Sequence, residues 1–227
     1  MNIDRLFEYL LELTQESAME LIKIYKQRSD RATRLVFPKL RNERFRVSEQ
    51  EFRFTLTNML EKSPYPGITY SVETPTEGLY SFSKKGERSA SSDLSFYHDG
   101  KKVLNIELKS HNPNIYTIQK DLEKLLNEPN CGAWLHIFEN ENKGTVETLF
   151  RKFCSSFENL QSEIKYPISF HILILKPGIL ISRKGKDTDV NYFNPANLFD
   201  IKHSSWTDLD FGKHFMSNGW QIDKFDL

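Results

Sequence analysis

Cysteine is almost absent: Cys131 and Cys154 are the only two in 227 residues, without the close spacing of a metal knuckle, so neither a disulfide framework nor a zinc site is suggested. No apolar run approaches the roughly 18 to 20 residues that span a bilayer. The leading MNIDRLFEYLLEL carries acids where a signal peptide needs basic residues, so a cytoplasmic protein without a membrane partner is expected. A net charge is missing too, since 31 Lys and Arg balance 31 Asp and Glu, which argues against a uniformly basic nucleic-acid binder. There is no glycine-rich phosphate loop of the Walker or dinucleotide type and no Ser-His-Asp nucleophile elbow, which leaves ATP, NAD and serine-hydrolase chemistry without support. What is present is 38% apolar content, enough at this length for one full core.

The zero balance hides an uneven distribution. Residues 23–46 carry nine basic side chains, among them Arg31, Arg34, Lys39, Arg41, Arg44 and Arg46, against only Asp30 and Glu43. Taken alone, such a run is a solvated helix end and loop; beside a phosphodiester site it becomes a candidate contact for nucleic-acid backbone.

Ile3, Leu6, Phe7, Leu10, Leu11 and then Met19, Leu21, Ile22 and Tyr25 recur at helical spacing, which predicts one long or two shorter helices over 3–28. Ser48 and Glu51 form a capping-box signature before a helix over 48–62, which Pro64, Pro66 and Gly67 end. Three β-rich runs follow at 68–74, 93–97 and 103–109, separated by turn formers and predicting a meander. Residues 75–92, rich in Gly, Ser and charge, read as a mobile loop leading to the site. A helix near 115–126, a strand at 133–138, a helix over 146–160 and a hairpin over Lys176-Pro177-Gly178 complete the pattern, with the last forty residues irregular. This order predicts an α/β domain on a central mixed sheet flanked by helices.

The most informative feature is Glu107-Leu108-Lys109, with Asp93 fourteen positions upstream in another strand-like run. Strict alternation puts Asn105, Glu107 and Lys109 on one face of their strand and Leu104, Ile106 and Leu108 on the other. Whether Asp93 shares the polar face depends on the turn. A two-residue Asp99-Gly100 hairpin pairs Asp93 with Ile106 and sends it to the opposite face, whereas an odd-length loop or a bulge brings it alongside Glu107. Composition does not choose between these turns. Without that context, Glu107 and Lys109 are an exposed cross-strand ion pair. His111 reads as a polar loop residue and His136, between Leu135 and Ile137, as a satisfied sheet histidine.

Over residues 45–140, Asp93, the E-x-K triplet and the surrounding helix, three strands, helix and strand resemble the PD-(D/E)XK nuclease superfamily, with Ser92 where the motif name has proline. The resemblance implies a restriction-endonuclease-like fold at 47–227, with 1–46 as a helical extension packed on it as one unit. It implies a DNA endonuclease of defence, restriction or repair in which Asp93, Glu107 and the Leu108 carbonyl bind Mg²⁺ or Mn²⁺ and Lys109 orients or helps deprotonate water. The family's helix glutamate would be Glu49 or Glu51; Glu49 lies nearer the apolar face, and Glu51 also fits a cap. Gln119 or Lys120 would reach the site from the following helix, the basic residues of 23–46 would hold the DNA backbone, and a homodimer is compatible with the family. The competing expectations are a non-catalytic member that binds nucleic acid or protein, and an unrelated α/β interaction domain.

Overall fold

The computed structural model describes residues 2–63, 65, 67–81, 86–140, 143–160, 165–183 and 220–225. α1 (Ile3–Tyr25) is one continuous helix whose first turn is capped by the Asn2 side chain accepting from the Arg5 amide at 2.9 Å. α2 (Glu49–Lys62) opens on the reciprocal cap that its sequence signals, with Ser48 and Glu51 each serving the other's backbone. The meander consists of β1 (Ile68–Tyr80), β2 (Arg88–His98) and β3 (Lys101–Ser110), antiparallel in turn. α3 (Ile115–Asn127) then crosses to β4 (Cys131–Phe138), parallel to β3, and α4 (Lys143–Leu160) crosses to β5 (Ile168–Ile174), parallel to β4. β6 (Ile179–Arg183) and β7 (Gln221–Lys224) add antiparallel strands, giving a seven-stranded mixed sheet in sequence order.

Two crossovers that advance the same way along the sheet must, if both are right-handed, lay their helices on one face. α3 and α4 do so, covering Trp134, Phe138, Phe170, Ile172 and Ile174. α1 and α2 cover the other face through Leu94, Phe96, Leu104, Ile106, Leu108, Ala133 and Leu135, so the N-terminal helix shares a core with the sheet. Alternation along β3 and β4 therefore decides which layer each side chain enters.

The described residues of the expected 75–92 loop differ from it: β1 and β2 run into this stretch as a two-stranded arm, with a register shift between Pro75 and Leu79. Its anchor is Glu128, fully buried at the end of α3, which accepts from the amides of Glu77 (3.0 Å) and Gly78 (2.9 Å) and from the Tyr80 hydroxyl (3.0 Å). A polar, glycine-containing stretch becomes strand because a distant carboxylate satisfies its amides. In the last forty residues, Trp220 is buried and stacks on Phe150 at 5.5 Å before β7; Trp206, Phe211 and Phe215 lie outside the described residues. Among the described residues no helix is long and apolar enough to cross a membrane.

Two histidines on neighbouring strands, His136 and His171, are buried, and desolvation lowers each to about 3. Because the unfolded chain binds their protons near pH 6.5 and the fold does not, the stability they support is complete above that pH and is lost progressively as pH falls toward 3. The expected loss is about 1.4 kcal/mol per histidine per pH unit within this window. Thermal unfolding between pH 7 and 5 measures it, and His171→Gln should flatten the pH dependence by about half; an unchanged slope contradicts this.

Candidate active site

The β2–β3 turn is the two-residue Asp99-Gly100 form, both residues in the left-handed region at φ 51° and 77°. That turn alone would send Asp93 to the wrong face. The register is corrected one step later: Tyr97 pairs with Lys102 but Phe96 pairs with Leu104, so Val103 is an extra residue, a bulge. Pairing then continues to Leu94 opposite Ile106, a register that sets Asp93 opposite Glu107 and gives both the same face.

Regular pairing stops there, and Asp93 takes over. Its Oδ2 accepts from the Leu108 amide at 2.7 Å, satisfying a donor that the departing strand no longer serves. Its Oδ1 meets Arg53 Nη2 of α2 at 3.0 Å, while Arg53 Nη1 reaches Glu73 Oε1 at 2.9 Å. Glu73, in β1, has φ 49°, an uncommon conformation for a side-chain-bearing residue, beside Asp93 in the sheet.

From the other layer, α3 contributes Asp121 and Lys124. Lys109 Nζ lies 3.0 Å from Asp121 Oδ2, 3.7 Å from Asp93 Oδ2 and 3.1 Å from the Leu108 carbonyl. Lys124 Nζ lies 3.0 Å from Asp121 Oδ1, 2.7 Å from Glu107 Oε1 and 2.8 Å from the Ser91 carbonyl. Arg53, Asp93, Lys109, Asp121, Lys124 and Glu107 thus form a ladder of alternating charge from α2 through the sheet into α3. Gln119 and Lys120 are only half-buried on α3; the helix face that meets Glu107 and Lys109 carries Asp121 and Lys124 instead. Asp121, three residues after Ile118 and four before Leu125, borders the apolar side of the helix, a signal present in the sequence; Lys124 does not share that spacing and is brought inward by its partners.

The electrostatics follow from burial and these neighbours. Glu107, 1% exposed, has its carboxyl pushed well above the usual range by desolvation and then by the Asp121 charge, against the opposing pull of Lys124. For Lys109, desolvation is outweighed by Asp121, Asp93 and Glu107, which raise its pKa and keep it charged. Asp121 is held low because Lys109 and Lys124 outweigh its desolvation.

The two candidate helix glutamates separate. Glu51 serves the Ser48 cap, its Oε2 accepting from the Ser48 amide at 2.9 Å, whereas Glu49 Oε2 accepts from Ser110 Oγ at 2.6 Å at the end of β3. Burial alone would raise the Glu49 carboxyl, but the Ser110 hydroxyl, its own backbone bond and the charges of Lys109 and His111 hold it low. His136 is structural: Trp134 Nε1–H donates to its Nδ1 at 3.4 Å, leaving Nε2–H to donate to the His111 carbonyl at 2.7 Å. This bond, with the His111 amide donating to Ile137 at 3.2 Å, fixes His111 at φ 59° just beyond the triplet.

The basic segment returns to the same end of the sheet. Tyr25, Phe37 and Phe45 pack together, and Arg44 Nη2 meets Glu139 Oε2 at 3.3 Å, one residue past β4. β3 and β4 are parallel, with Ser110 beside Ile137, so this clasp lies at the edge where Glu49 and Lys109 end. Arg34, Lys39, Arg41, Arg44 and Arg46 are exposed and Arg31 is half-buried.

Among the described residues, no three His, Cys, Asp or Glu side chains gather closely enough to hold a metal ion by themselves. The donor chemistry still fits Mg²⁺, which keeps several waters and is commonly bound through one or two carboxylates plus substrate phosphate. Asp93, Glu107 and the Leu108 carbonyl are hard oxygen donors on adjoining strands, with the Lys124 ammonium now 2.7 Å from Glu107 Oε1. The chain matches no protein-family model, no curated protein and no solved structure.

Proposed function

We propose that this chain is a Mg²⁺-dependent endodeoxyribonuclease of the PD-(D/E)XK kind. The observation that carries the reading is the Val103 bulge, because it gives Asp93 and Glu107 a common face beside Lys109 at the point where β2 and β3 part. The order α2-β1-β2-β3-α3-β4, with β4 parallel to β3, agrees with the fold that the resemblance implies.

In this reading Asp93, Glu107 and the Leu108 carbonyl would hold the ion, with Glu49, at the start of α2, reaching it directly or through water. Mg²⁺ bound there supplies Lewis-acid neutralisation of phosphoryl charge and acidifies a coordinated water, and Mn²⁺ suits the same donors. Lys109 acts as a fixed cation. Its raised pKa and its anchors on Asp121 and Asp93 suit it to orienting water and stabilising phosphoryl charge; removing a proton is disfavoured while it stays an ammonium. Asp121 and Arg53 position Lys109 and Asp93. The exposed side chains of Arg34, Arg41, Arg44 and Arg46 contact backbone phosphates, which positions DNA without reading its bases.

One observation favours the binding-only alternative: the Lys124 ammonium already neutralises Glu107. The discriminating measurement is nicking of supercoiled plasmid by the purified protein. Activity in Mg²⁺ or Mn²⁺ that disappears in EDTA is the expected result; DNA binding without metal-dependent nicking would replace the nuclease reading with the binding one.

A further inference from the structure

A cleft of about 440 Å³ opens beyond the C-terminal end of α1, lined by Arg28, Arg31 and Lys39 together with Val36, Phe37 and Phe45. No carboxylate lines it. The nearby acids Asp30 and Glu43 are largely exposed and engaged by Lys23 (3.6 Å) and Lys39 (3.1 Å). Arg28 and Arg31 have no ion pair among the described residues. Val36 is 57% exposed, an apolar surface that nothing described covers. Cations and apolar or aromatic side chains lining one recess of this volume match a phosphate joined to a base, the combination that single-strand binders use.

We propose that this cleft seats one nucleotide of a single-stranded or locally unpaired nucleic acid, with phosphate on Arg28 and Arg31 and the base against Val36 and Phe45. A paired, stacked base cannot enter such a recess, so the cleft selects strands whose bases are free. The connection to catalysis rests on the nuclease reading: Phe45 is four residues before Glu49, a contour of at most about 14 Å, so one strand can reach both the cleft and the Glu49 end of the proposed site.

The test measures binding of a single-stranded oligonucleotide of about 12 nucleotides, as DNA and as RNA, and of the matching DNA duplex, in EDTA. Arg28→Ala/Arg31→Ala should weaken single-strand binding about tenfold and reduce the salt slope by about 1.4, the value for two phosphate contacts on a single strand. The duplex should lose about twofold or less. The DNA and RNA arms identify the sugar accepted. Equal losses on duplex and single strand, or no loss on either, overturn the proposal. Because no cleavage is read, a failed cleft leaves the nuclease reading standing, and absence of Mg²⁺-dependent nicking leaves the cleft standing.

Discussion

Lys109→Ala will lower Mg²⁺-dependent plasmid nicking by about 10³-fold or more while the protein remains folded and still binds DNA. The size of the effect follows from Lys109 lying 3.7 Å from Asp93 with its side chain 19% exposed, whereas Lys124 is 4% exposed and Arg53, 12% exposed, is held between Asp93 and Glu73. Retention of the fold follows from the ladder: without Lys109, Asp121 keeps Lys124 at 3.0 Å and Asp93 keeps Arg53 at 3.0 Å. Neither carboxylate is stranded in the core. Circular dichroism and a binding isotherm in EDTA check the second half of the claim. Nicking at the wild-type rate would show that the activity belongs to another site or to a contaminant.

Lys124→Met will instead strike stability. The side chains of Lys124 and Glu107 are 4% and 1% exposed, and methionine would leave Glu107 without its direct partner and the Ser91 carbonyl without a donor. Breaking a buried pair from one side costs about 3 to 5 kcal/mol. The loss should be largest at neutral pH and smaller in mild acid. The folded state raises the Glu107 carboxyl above its unfolded value, so protonation on acidification relieves the uncompensated charge. A companion Glu107→Gln substitution should recover part of the loss at neutral pH, since a neutral amide needs no cation. Millimolar Mg²⁺ should stabilise Lys124→Met more than wild type if Asp93 and Glu107 bind the ion. Urea unfolding at pH 7.5 and 5.5, with and without Mg²⁺, reads all three effects. A loss below about 1 kcal/mol that ignores pH would mean that Lys124 and Glu107 are not coupled as the buried pair described above.

These two lysines also mark how far the sequence could be read. Lys109 stands in a strand whose alternation declares its face, and Glu51 stands in a capping signature that identifies its task, leaving Glu49 to meet Ser110. Lys124 and Asp121 look like an ordinary i,i+3 surface pair on α3. Only Asp121, three residues after Ile118 and four before Leu125, carries a periodic hint that it points inward. Arg53 gave no comparable signal, because its partners Glu73 and Asp93 lie on two strands that chain order does not place beside α2. The β1–β2 arm was illegible for the same reason: its polar residues become strand through Glu128, some fifty positions away.

By itself, then, the sequence determined the periodic elements, though not the β1–β2 arm, and the faces within them, because the periods of 2 and 3.6 are properties of the backbone. It also determined the absence of the phosphate-loop and nucleophile-elbow motifs. Tertiary structure alone decided whether the acids of two strands meet. The Asp99-Gly100 turn favours one register, and the single extra residue at Val103 reverses its consequence, since a shift of one residue exchanges the faces of everything beyond it. It decided as well that the acids would be interleaved with lysines, because burying like charges together is too costly unless opposite charges from another layer arrive between them.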